Sequence, residues 1–356
     1  MRDLFTEPER LSGLVSSHFP VAGVVEDGGR VAFVVLVPPD GRERFLALRR
    51  RLEPLGLLPM LRERDGRVLL VLLPRPPRTP WRWAPNAALF AATILTTFLA
   101  GYLMARPLVE AGYLSSAASG GASFAAALMA ILVTHEMGHK VASVLRGVDS
   151  SLPYFIPMFP PLGTMGAVII TRTPAPNRDA LIDVGAAGPI AGFAVAVPVL
   201  IIGITHSFVI RPTDFSGITL PDPLLLQWLI RWLLHPPSDA VVLGHPILFA
   251  GWIGLLVTSL NLLPAGMLDG GHAVRALLGR RGHQVLSWAA VGVAVLLGYW
   301  VMAVLIFLMI PRGHPGPLDD VSPARPSRWV MGLALLAIFA VSVVPSEASP
   351  LGRWWR

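Results

Sequence analysis

The chain has 356 residues, 53% of them hydrophobic and only 14% charged, with a formal net charge of +7. Soluble domains run nearer 25% charged, and the apolar residues here are gathered in blocks, so the composition points to a polytopic membrane protein and away from a nucleic-acid binder. There is no cysteine, which excludes disulfides, thiolate metal sites and cysteine nucleophiles and leaves His, Asp and Glu as the only strong metal ligands.

Residues 1–74 read as a small soluble α+β domain. The patterning predicts a helix over 3–18 and strands at Val21–Val25 and Val31–Val37, turned by Asp27-Gly28-Gly29. A helix over Arg42–Leu55 follows. A second hairpin, Leu57–Arg62 and Val68–Leu73, turns at Asp65-Gly66. That αββαββ order suggests one sheet covered by helices. No catalytic constellation falls within it, and Arg49-Arg50-Arg51 reads as a solvated helix face leaning on anionic headgroups. No cleavable signal peptide is expected, because Asp3, Glu7, Glu9 and Arg10 stand where its apolar region would be.

Residues 75–85 form a linker rich in Pro and Arg, with Trp81 and Trp83 placed as at a membrane interface. Residues 86–346 carry six apolar segments, at about 86–104, 121–146, 181–205, 245–264, 284–311 and 328–345, before a tail over 347–356. Each segment is long enough to cross ~30 Å of hydrocarbon at ~1.5 Å per residue. Between them, Asp222–Leu234 is apolar but too short to span and reads as an interfacial helix. With residues 1–74 cytoplasmic, Lys140, Arg146, Arg172, Arg178, Arg275, Arg280 and Arg281 fall on that side, with Arg353 and Arg356. Arg106, Arg211, Arg231, Arg312, Arg325 and Arg328 fall on the other. The bias predicts a multi-pass protein of the cell membrane with both termini cytoplasmic.

The second apolar segment contains His135-Glu136-Met137-Gly138-His139. Histidines four apart on a helix present both imidazoles to one side, half of a tetrahedral zinc shell, and Glu136 is placed to accept a proton from water. Two buried histidines in a helix bundle also satisfy that spacing by hydrogen bonding alone, but a buried carboxylate between them has no inexpensive structural explanation. Zinc needs a third protein ligand. Asp269, in Asn261-Leu262-Leu263-Pro264 … Leu268-Asp269-Gly270-Gly271-His272, is the best candidate, since a carboxylate at that depth is costly without a cation. Asp-Gly is equally common as turn chemistry. His272 could add an imidazole, although its place past the helix break favours a cytoplasm-facing position.

Taken together, these motifs resemble those of the site-2 proteases, a family of intramembrane zinc metalloproteases. Thr134–His139 matches the family's HExxH, Asn261–Pro264 followed by Leu268–His272 matches its NxxP…LDGG, and Ala187-Gly188-Pro189-Ile190-Ala191-Gly192 matches its small-residue GPxxG helix. Pro153–Pro157 and Gly163-Thr164-Met165-Gly166 resemble the archaeal and plastid-type branch, whereas Met267 stands where relatives often have a polar residue. The resemblance implies a three-helix catalytic core over about 120–280, one Zn2+ per chain on His135, His139 and Asp269, and Glu136 as general base. It also implies Asn261 as a group that orients substrate or stabilises the oxyanion. The substrate it implies is a transmembrane or membrane-anchored protein segment, cut within the lipid bilayer in regulated intramembrane proteolysis.

Residues 151–176 hold six prolines and cannot form a helix. Val168-Ile169-Ile170 is expected either as an exposed strand that holds substrate extended or as part of an ordinary loop. Two rival functions share these motifs: a non-enzymatic scaffold, against which the intact HExxH and Asp269 argue, and a metal transporter, which would need polar residues in more spans than carry them.

Overall fold

The computed structural model describes residues 8–27, 30–77, 82–211, 221–237 and 240–344. The Asp27-Gly28-Gly29 turn, Trp81, the 347–356 tail and the first seven residues fall wholly or partly outside them.

The N-terminal unit follows the expected αββαββ order: α1 (Pro8–Ser16), β1 (Val21–Asp27), β2 (Arg30–Val35), α2 (Gly41–Leu52), β3 (Leu57–Arg64) and β4 (Arg67–Pro74). The strands form one antiparallel sheet in the order β1-β2-β4-β3. The β3–β4 register closes at Arg64↔Arg67. Asp65 (φ 50°) and Gly66 (φ 72°) therefore make the two-residue turn with both φ positive that matches strand twist. Phe19, Phe33, Phe45, Leu48, Leu52, Leu61 and Leu70 fill the space between sheet and helices.

Among the described residues, three helices are long and apolar enough to cross a membrane: α3 (Trp83–Glu110), α4 (Ala117–Leu145) and α5 (Arg178–Thr205). Ser116 caps α4 and Asn177 caps α5 through side-chain oxygens, satisfying backbone donors that apolar surroundings cannot. Between α4 and α5, β5 (Tyr154–Pro157) and β6 (Thr164–Val168) pair as a hairpin. The strand ends at Val168, so Ile169 and Ile170 lie beyond it. The hairpin rests on α3, where Asn86 Nδ2 donates to the carbonyls of Leu152 (3.0 Å) and Pro153 (2.9 Å) and Thr96 Oγ1 to that of Gly163 (2.7 Å).

Past α5 come β7 (Phe208–Ile210), α6 (Leu224–Leu233), β8 (Val241–Leu243), α7 (Pro246–Asn261), α8 (Asp269–Leu296), α9 (Trp300–Met309) and α10 (Ser327–Ser342). α8 is two helical pieces joined at Gly279, whose φ of 72° breaks the helix. α6 is the short helix expected over Asp222–Leu234, with Leu226 buried and Trp228 and Trp232 exposed. α4, α5 and α7 pack together around Phe124, Leu128, Ile131, Leu200, Ile204 and Ile253, and α8 packs on α5.

Two sequence expectations fail here for one reason. The apolar stretch 284–311 is not one helix. Gly298 (φ 82°) ends α8, with Tyr299 N–H bonded to Ala294 O (2.7 Å), and α9 starts again at Trp300 and packs back on α8. The stretch therefore returns to the side it left. The loop after α9, expected on the face opposite the N-terminal unit, instead touches that unit. Leu61 N–H donates to Leu318 O (2.9 Å), and Arg325 meets Glu43 (3.1 Å). α10 then leads away from it. Val344, the last described residue, accepts a hydrogen bond from Tyr299 at the α8–α9 turn, and α10 packs on α6. α5 leaves the N-terminal unit at Asp179, which meets Arg42 (3.4 Å), and runs 28 residues to reach the α6 side. The described C-terminal end thus lies on the face opposite the N-terminal unit.

Candidate metal centre

His135 and His139 lie on one side of α4, and Asp269 opens α8. Asp269 Oδ2 is 3.3 Å from His135 Nε2, Asp269 Oδ1 is 3.3 Å from His139 Nε2, and the two Nε2 atoms are 3.2 Å apart. One donor atom from each residue lies within 4.8 Å of the other two. Sequence reasoning thus named three groups, from segments 130 residues apart, that the fold brings together.

Tautomer chemistry sharpens the site. His139 Nδ1 is 2.7 Å from the carbonyl of Val184. A carbonyl only accepts, so Nδ1 carries the proton and the Nε2 lone pair faces inward. This is the usual way a fold orients a metal-binding imidazole. An inward lone pair, a second imidazole nitrogen and a carboxylate in one small volume are mutually repulsive unless a cation or proton lies between them. Two nitrogens and one oxygen in that spacing suit Zn2+ with one position left open. Glu136, on the neighbouring face of the same turn, is buried at 8% exposure and His135 at 4%.

The small residues of α5 make room for the imidazoles. A Cβ at Gly188 would overlap the His139 ring, and one at Gly192 would come within 3.0 Å of His135. Gly138 lets α4 approach the Ala187 carbonyl, which a Cβ would meet at 2.5 Å. The GPxxG match is therefore a seat for the two histidines as well as a helix contact. On the other flank a Cβ at Gly271 would meet Ala265 O at 2.5 Å, so the first turn of α8 packs directly on the loop after α7. His283 Nε2 donates to Gly266 O (3.0 Å) and fixes that loop.

Asn261 closes α7, half-buried, and is not one of the converging groups. His272 is not one either. It sits one turn beyond Asp269 with Nδ1 2.7 Å from His314 Nε2. The residues that sequence reasoning missed are those that tie the site to distant segments. Arg49, expected with Arg50 and Arg51 on a solvated helix face, is instead buried, and its Nη2 donates to Gly147 O (2.6 Å) just past α4. Arg275 forms a two-bond pair with Asp320 (2.8 and 2.5 Å). Lys140 Nζ donates to Ser150 O (2.5 Å) at the root of the β5–β6 hairpin. No local pattern announces any of these partners.

Residues 123–305, half of the chain, match Peptidase family M50, and the chain belongs to that family. Among curated proteins it is similar to "Probable zinc metalloprotease EGY2, chloroplastic" of Oryza sativa subsp. indica. The identity is 29% over 318 residues, covering 80% of this chain and 55% of the relative. It is also similar to "Probable zinc metalloprotease EGY1, chloroplastic" of Arabidopsis thaliana, at 31% over 226 residues, 59% of this chain and 40% of the relative. The chain thus spans about half the length of these relatives. No solved structure matches it.

Proposed function

We propose that this chain is an intramembrane zinc metalloprotease that hydrolyses peptide bonds in transmembrane or membrane-anchored protein segments. One observation carries the reading: His135, His139 and Asp269 offer three donors within 4.8 Å of one another, beside a buried Glu136, and the helix that carries both histidines and Glu136 is long and apolar enough to cross a membrane. Membership of peptidase family M50 and the zinc metalloprotease names of the relatives support it.

In this reading His135, His139 and Asp269 hold one Zn2+ per chain. Bound zinc supplies Lewis acidity and lowers the pKa of water toward neutrality. Glu136 takes the proton as the nucleophile attacks and delivers it to the departing amine, a role that contributes roughly 10²–10⁴-fold. The Val184 carbonyl keeps His139 in its working tautomer. Asn261 orients the substrate or its oxyanion. The β5–β6 hairpin offers a two-stranded edge beside α3 and α4, against which an unwound substrate segment can add as a strand. A helical substrate must unwind first, because its backbone groups are already bonded to one another.

We assign residues 1–74 as a soluble domain, 75–85 as a linker, 86–346 as the membrane protease domain with its core over about 120–280, and 347–356 as a tail. Six apolar segments make up the membrane part, the fifth as the α8–α9 hairpin. The basic loop residues, now including Arg312 and Arg325 on the side of the N-terminal unit, favour a cytoplasmic N-terminal unit in a cell membrane. The test is cleavage of a purified single-span substrate in proteoliposomes by wild type and by Glu136→Gln, with metal analysis of both. Cleavage by wild type alone supports the reading. Equal cleavage by both, or a folded wild type without zinc, overturns it.

A further inference from the structure

A chain of hydrogen bonds starts in the loop after α9 and ends one turn from Asp269. Gly316 N–H donates to His314 Nδ1 (2.9 Å), so that nitrogen carries a lone pair. The proton of His314 therefore sits on Nε2, which lies 2.7 Å from His272 Nδ1. His272 Nδ1 must accept that proton's hydrogen bond, so the proton of His272 is on Nε2. Protonating His272 on both nitrogens would leave His314 with no proton at all. Burial and the neighbouring His272, His283 and Arg275 hold the His314 imidazole well below its usual pKa, so it stays neutral. The loop is fixed by the Arg275–Asp320 pair, whose guanidinium is 2% exposed.

His272 stands beside the site on the same helix as Asp269. His272 and Asp269 are three apart on α8 and share a face. Gly185 of α5 backs both: a Cβ there would lie 2.7 Å from His272 Cβ and 3.2 Å from Asp269 O. Gly188, one turn further along α5, backs His139. His272 is partly exposed, and its one side-chain hydrogen bond among the described residues is made through Nδ1.

Resting on the protease reading above, we propose that His272 is a neutral hydrogen-bond donor to the substrate's scissile carbonyl or its oxyanion, and that His314 is the positioning residue that fixes its tautomer. A neutral imidazole suits this role beside a dication, where a second positive charge would be repelled. A donor aimed at the developing oxyanion contributes about 10²–10³-fold to kcat. Its orienting partner is expected to contribute about 10–100-fold, the range seen for groups that orient site residues.

The test has two arms on the full chain. The first records nitrogen-15 spectra of histidine-labelled, metal-free protein. Wild type should show His272 neutral with the proton on Nε2, and His314→Ala should show mixed tautomers. The second measures kcat, KM and zinc content on a single-span substrate in proteoliposomes. His272→Ala should lose about 10²–10³-fold in kcat while KM and zinc content hold. His314→Ala should lose about tenfold or more, and His314→Gln, which keeps a donor toward His272, should recover most of it. A His272 proton on Nδ1, an unchanged kcat in His272→Ala, or loss of zinc in step with kcat would overturn the proposal. An inactive wild type would instead sink the protease reading, and the spectra would still decide the tautomer.

Discussion

Arg49 of α2 donates to the carbonyl of Gly147, at 2.6 Å, immediately beyond the helix that carries His135 and His139. Gly147 follows the Arg146 C-cap, so the guanidinium sits beside the C-terminal end of the helix, the negative end of its dipole. The side chain is 8% exposed and burial lowers its pKa, so the contact is made out of water. The N-terminal unit thus grips the end of the metal-site helix, and Arg42 holds Asp179 at the start of α5 beside it.

Removing that grip should be measurable. Arg49→Ala is expected to destabilise the solubilised protein by about 1–3 kcal/mol, the cost of losing a buried charged hydrogen bond. Thermal unfolding in detergent reads it out. A Tm equal to that of wild type would show that the N-terminal unit and α4 are not coupled through Arg49.

Gly188→Ala should abolish the metal site without touching a ligand, because the new Cβ would occupy the space of the His139 ring. Zinc content near zero is expected from a variant that still folds by circular dichroism. Gly13→Ala, where a Cβ meets nothing within 4 Å, is the matched control. Full zinc occupancy in Gly188→Ala would mean that His139 is not held where it stands.

Asp269→Asn keeps the shape of the third ligand and removes its charge. Weaker metal binding is expected, together with lost cleavage, whereas Glu136→Gln should lose cleavage and keep metal. Chelator competition followed by metal analysis separates the two. Matching metal affinities in the two variants would put Asp269 outside the coordination shell.

The N-terminal unit and Val344 should report opposite sides of the membrane. Reporter fusions before residue 8 and after Val344 test this, with the N-terminal fusion expected in the cytoplasm from the Arg and Lys distribution. The same side for both would contradict the path of α8, α9 and α10.

Substrates with Gly, Pro or Asn near the cytoplasmic end of their span should be cut faster than Leu-rich versions. His135 lies 18 residues into α4, about 27 Å from its start at ~1.5 Å per residue, so the site is nearer the end that the N-terminal unit holds. Mass-spectrometric mapping of cuts on a matched substrate pair decides it. Cuts confined to soluble loops, regardless of helix stability, would describe a membrane-tethered protease instead.

The sequence by itself determined which groups could meet at the candidate metal centre. HExxH is local, because two histidines four residues apart share a helix face, with Glu136 on the neighbouring face of the same turn, whatever else the chain does. Asp269 was legible because a carboxylate among apolar residues needs a cation. The αββαββ unit was legible because strand alternation and Asp65-Gly66 are short-range signals. What only the tertiary structure decided depends on segments far apart. The apolar run 284–311 reads as one span, since hydropathy does not reveal that Gly298 turns the chain back and so carries the end of α10 to the opposite face. Gly188 reads as a helix-packing residue until His139 is seen filling its place. His314 lies 42 residues from His272, in a loop with no periodicity. A tautomer is fixed by which donor and acceptor meet across space, and no spacing along the chain encodes that meeting.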